Sequence, residues 1–114
     1  MHRSIFEPLP GEGRWGSALL MDGNIGIGGD PEALLLRLRE LLRRSGRVLV
    51  EVEAPGTPAG PVWLRVQDGA RLGPSFPWAR LGADRLKALA ARTGFHTLDM
   101  WNAGRRWFGA LERR

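Results

Sequence analysis

The chain has 114 residues, 43% of them apolar by the nine-residue count and 25% charged, which fits one folded domain with a modest core. It has no cysteine, so disulfides, thiolate zinc sites and cysteine nucleophiles are excluded, and no metal site is expected. The net charge of +5 points weakly to an acidic partner, but all but one of the 17 basic residues are arginine, scattered from end to end. Nucleic acid, which calls for a clustered basic patch, is therefore not an expected partner.

Residues 1–17 read as an irregular amino-terminal segment. Phe6, Leu9 and Trp15 are apolar anchors, but Pro8, Pro10, Gly11, Gly13 and Gly16 interrupt any regular element. Such a stretch suits a connection from something earlier better than the start of a free-standing domain. No apolar leader follows Met1, and no run approaches the 18 apolar residues of a membrane span, so a cytoplasmic protein without a membrane partner is expected.

Ala18-Leu19-Leu20-Met21 is an unbroken apolar run, as in a strand covered on both faces. Asp22 and Gly23 end it, and Asn24-Ile25-Gly26-Ile27-Gly28-Gly29 follows as a glycine-rich loop. Asp30 is a good N-cap and Pro31 suits a first helical position, so a helix starts there. Strand, glycine loop and helix N-terminus mark the place where open α/β sheets bind ligands. The loop lacks the full dinucleotide and P-loop spacings, and two flanking carboxylates would repel phosphate. It reads either as a tight turn with Asp30 capping, or as a ligand-facing rim formed by Asp22, Gly23, Asn24, Gly26 and Gly28.

The helix is expected over 31–44, with Leu34, Leu35, Leu38, Leu41 and Leu42 in one inward stripe. Arg37, Glu40 and Arg44 form its solvated side, and Gly46 is expected as its C′ residue. A second strand over 47–53 completes a βαβ unit with parallel strands. Glu53 closes it, either as a plain strand terminus or as a second rim carboxylate beside Asp22.

Residues 54–82 read as the least regular part. Val62-Trp63-Leu64-Arg65-Val66-Gln67 alternates, and Asp68-Gly69 signals a hairpin. Pro74-Ser75-Phe76-Pro77-Trp78-Ala79-Arg80 follows, either a lid over a ligand site through Phe76 and Trp78 or a structural plug. A second helix is expected over 83–93, with Leu86, Leu89 and Ala90 inward and Gly94 ending it. Strands over 95–101 and 105–111, joined by a turn at Asn102-Ala103-Gly104, close the chain as an antiparallel hairpin. His96 reads as a solvated or packed histidine, and Trp101, Trp107 and Phe108 as hairpin packing.

The order of these elements resembles the second half of the class I S-adenosylmethionine-dependent methyltransferases, whose parallel sheet ends in an antiparallel hairpin. Leu41-Leu42-Arg43-Arg44-Ser45-Gly46-Arg47-Val48-Leu49-Val50-Glu51 is similar to their passage into the fifth strand, with Arg-Ser-Gly where Pro-Gly-Gly is usual. Leu19-Leu20-Met21-Asp22-Gly23-Asn24 is similar to the end of the fourth strand. Phe76-Pro77-Trp78-Ala79-Arg80 and Arg106-Trp107-Phe108 resemble elements of a bacterial subgroup carrying the Asp-Gly-Asn-Ile-Gly-Ile-Gly-Gly-Asp loop.

The resemblance implies an α/β fold: a partial Rossmann-like sheet with an inserted hairpin, over a half-domain at 18–114. It implies S-adenosylmethionine as cofactor of the complete fold. The family's first-strand glycine loop, which holds that cofactor, has no counterpart here. The chain alone is therefore expected to bind none and to be inactive, a truncated or split transferase needing an amino-terminal half-domain partner. The alternative is a non-catalytic interaction module or homodimer, joined through the edge of the strand from Ala18 to Met21. The resemblance names no methyl acceptor.

Overall fold

The structure is a computed structural model that describes residues 6–21, 25, 29–58, 60–64, 67–68, 71–72 and 76–114, with backbone alone for 60–78. Its main sheet has four strands: β1 (Trp15–Leu20), β2 (Leu42–Val52), β7 (Phe95–Ala103) and β8 (Arg106–Arg113). Their spatial order is β1-β2-β8-β7. β1 and β2 are parallel, β8 is antiparallel to β2, and β7 is antiparallel to β8. Helices α1 (Pro31–Leu41) and α2 (Ala83–Arg92) supply the crossovers. The expected partial Rossmann-like α/β fold is present.

The core follows from alternation. Val48, Val50 and Val52 of β2, Leu20 of β1, Leu111 of β8 and Phe95 of β7 are buried. They form one cluster with Leu34, Leu35, Leu38 and Leu41 of α1 and Leu86, Leu89 and Ala90 of α2. Gly109 lets α2 sit directly on β8, since a Cβ there would collide with Leu86 Cδ2. The alternate positions remain open: Leu19 is 67% exposed and Trp101 38%. Trp101 stacks on Phe108 at 5.6 Å and Arg106 lies over the Phe108 ring, the expected hairpin packing. His96 is exposed, as expected.

Several boundaries differ from the sequence reading. β1 begins at Trp15 rather than at 18. α1 starts as expected, with Asp30 Oδ1 accepting from the Ala33 amide at 3.0 Å and Pro31 following, but it ends at Leu41. The Leu41 carbonyl accepts from the Gly13 amide at 2.9 Å, and Leu42 turns extended to pair with Trp15. The register then steps from Trp15↔Leu42 to Ser17↔Arg47, so residues 43–46 bulge out of the ladder. Ser45, not Gly46, takes the left-handed conformation, at φ 61°. Gly46 is needed instead for close approach, because its Cβ would stand 2.8 Å from the Arg43 carbonyl.

The 54–82 region is more regular than expected. β3 (Gly60–Leu64) pairs antiparallel with β6 (Phe76–Arg80), and β4 (Gln67–Asp68) with β5 (Arg71–Leu72), consistent with the hairpin signal at Asp68. β7 runs on to Ala103, so the closing turn is centred on Gly104 and Arg105.

Arg37 was expected on the solvated face of α1 and is buried. Its Nη1 donates to Glu12 Oε1 at 2.7 Å and Glu40 Oε2 at 3.1 Å, and its Nη2 to the Glu7 carbonyl at 2.7 Å. The amino-terminal segment is thereby pinned to α1, with Leu9 packed against the core and its amide donating to Glu12 Oε2. The Arg37 hydrogen bond, and then that amide, hold the Glu12 carboxyl below its ordinary value of 4.5. A depressed carboxyl pKa contributes stability that is full above the unfolded value and is lost as pH falls through the folded one. Urea midpoints measured from pH 7 down to pH 3 should therefore fall less steeply in Glu12→Gln than in the parent chain. Parallel curves would remove this pair from the acid response.

Candidate functional site at the carboxyl edge of the parallel strands

Two segments leave the carboxyl ends of β1 and β2 side by side. From β1, Leu20 is buried, Ile25 is buried at 2% exposure, and Gly29 takes φ 77° just before the Asp30 cap. Leu20 before the glycine loop and Ile25 within it are thus packed in the core, and Asp30 after it caps α1. The expected rim residues Asp22, Gly23, Asn24, Gly26 and Gly28 lie outside the described residues. The structure brings Ile25 into the core, an anchor that the sequence signals only as an apolar residue among glycines.

From β2, Glu53 is exposed at the strand end and bridges to Gly82. Its amide donates to the Leu81 carbonyl and its carbonyl accepts from the Ala83 amide, both at 2.8 Å. The turn at 54–57 is tied to α2 through Asp84 Oδ1, which accepts from the Gly56 amide at 3.1 Å. Thr57 closes the turn by donating from Oγ1 to the Ala54 carbonyl at 2.8 Å. Gly82 is required here, since a Cβ would lie 2.5 Å from Asp84 Oδ1 and 3.1 Å from the Ala54 carbonyl. The candidate lid residues Phe76 and Trp78 occupy β6, with backbones paired to Leu64 and Val62.

A cleft of about 380 Å³ opens between this edge and the helices, lined by Gly29 to Glu32 on one side and by 79–81 and α2 on the other. Among the described residues no three histidine, aspartate or glutamate side chains converge as a metal site. None of the helices described is long and apolar enough to cross a membrane.

The fold is similar to part of the sheet of several solved methyltransferases. An S-adenosylmethionine-dependent methyltransferase from Bacteroides fragilis, solved with S-adenosyl-L-homocysteine, superposes with a TM-score of 0.69 at 21% identity, over 94% of this chain and 50% of that one. A Burkholderia thailandensis 1,6-didemethyltoxoflavin-N1-methyltransferase superposes at 0.67 and 18% identity, over 92% and 46%. A Methanosarcina mazei S-adenosylmethionine-dependent methyltransferase gives 0.68 at 8% identity, over 97% and 65%. The chain thus spans about half the length of the first two structures. No family model and no curated relative matches it.

Proposed function

We propose that this chain is the carboxyl-terminal half of an S-adenosylmethionine-dependent methyltransferase of the bacterial type carrying the glycine loop at 22–30. It works only beside the amino-terminal half, whether that half belongs to the same polypeptide or to another. One observation carries this reading: among the described residues β1 pairs with β2 alone, and no described strand lies on its other edge. An unpaired apolar strand is an edge that folded proteins normally cover, and the two bacterial structures compared above are about twice as long.

The residues described here do not form a cofactor cradle by themselves. They offer one side of a crevice, at the carboxyl edge of β1 and β2, and leave the other side to the amino-terminal half. In the assembled protein Asp22, Gly23, Asn24, Gly26 and Gly28 would form the rim facing cofactor or substrate, and Phe76 and Trp78 the lid. The exposed Leu19 on β1 favours a second reading, a non-catalytic interaction module or homodimer using the same edge.

Substitutions in the loop test the reading. In the complemented protein, Asp22→Ala or Asn24→Ala should abolish methyl transfer from S-adenosylmethionine while changing stability by no more than about 0.5 kcal/mol. Asp30→Ala is the control, since loss of its cap should cost about 1 kcal/mol. If Asp22→Ala costs as much as the cap variant and leaves transfer intact, Asp22 is a turn residue and the rim reading fails.

A further inference from the structure

The cleft between α1 and α2 has a composition that the proposed methyl transfer does not use. Ala79, Leu81 and Leu89 form an apolar floor, each no more than 6% exposed. The walls carry three carboxylates and three guanidinium groups. Each carboxylate already has a protein partner. Asp30 accepts from the Ala33 amide, Asp84 from the Gly56 amide, and Glu32 lies 3.6 Å from Arg92 Nε. Two of the cations differ. The side chains of Arg80 and Arg85 are exposed and make no hydrogen bond or ion pair among the described residues.

We propose that this cleft binds a small organic monoanion, a carboxylate carried on a flat apolar body. The apolar floor takes the body, and the two unpaired guanidinium groups offer donor forks that match a carboxylate. About 380 Å³ is at the small end of ligand pockets, enough for one or two rings. The neighbouring Glu32 and Asp84 disfavour a phosphate dianion, so charge selects a single negative group. The site stands on these residues alone, and its fate is separate from that of the methyltransferase reading.

The test is calorimetric titration of the chain with 2-naphthoate and with its neutral isostere 2-naphthamide, joined to amide shift mapping by NMR. The site predicts saturable one-to-one binding, with naphthoate favoured by about tenfold, the scale of a charge-assisted pair. Shifts should cluster at Gly29, Leu81 and Leu89. The double variant R80Q/R85Q changes only exposed side chains and should lose the preference while keeping its affinity for the amide. Equal affinity for acid and amide, shifts elsewhere, no binding, or an undiminished preference in the double variant would each overturn the proposal.

Discussion

Replacing Ile25 by alanine should destabilise the fold by about 2–5 kcal/mol, the usual range for emptying a fully buried aliphatic site. Ile25 is the mid-point of the glycine loop, yet it is 2% exposed and belongs to the same core cluster as Leu20, Leu34 and Val50. It ties the segment between β1 and α1 to the layer beneath. The loss would come from the transfer of its side chain and from the cavity left under a loop with few other apolar residues. Since domains of this size are stable by about 5–15 kcal/mol, such a change should move the denaturant midpoint strongly. Ile25→Val, which removes one methylene, should cost only about 0.5–1.5 kcal/mol. An alanine variant within about 0.5 kcal/mol of the parent would mean that the loop is not anchored there.

Gly46→Ala should cost about 1–3 kcal/mol, as for overpacking a tight site. The new Cβ would stand 2.8 Å from the Arg43 carbonyl oxygen, 3.0 Å from Leu42 Cβ and 3.1 Å from Leu42 Cδ2. The nearest of these is backbone, so no side-chain rotation relieves it. The bulge at 43–46 also sets the step of the β1–β2 register, and Arg113 donates to the Leu42 carbonyl from β8. Strain at Gly46 would therefore be felt across three strands. Chemical denaturation of the variant at neutral pH measures it, and an unchanged midpoint would show that the bulge rearranges freely.

These two residues also show where sequence reading succeeds and stops. The start of α1 was legible because capping is local: Asp30 and Pro31 carry the signal within two positions. Its end was not. Leu41 and Leu42 continue the helical stripe, and the break is made by the Gly13 amide on the Leu41 carbonyl and by Trp15 pairing with Leu42. Arg37 looked like a solvated arginine because its partners Glu12 and the Glu7 carbonyl lie far away along the chain. The alternation from Val62 signals β3, but its pairing with β6 is equally remote along the chain, and Pro77 disguises β6 as a loop. The order of elements, by contrast, followed from patterns of apolar periodicity, and the four-stranded sheet agrees with it. The loop at 22–28 reads as a candidate rim from its glycines and Asp22 alone, and apart from Ile25 it lies outside the described residues.

The most direct measurement is calorimetric titration of S-adenosylmethionine into the isolated, monomeric 114-residue chain, and then into the same chain complemented by an amino-terminal methyltransferase half. No useful binding is expected in the first titration, because among the described residues no strand lies beyond β1 on its side of the sheet. Saturable binding is expected in the second. Micromolar binding to the isolated monomer would contradict this, since the chain would then hold a complete cofactor site without a strand from an amino-terminal half beside β1.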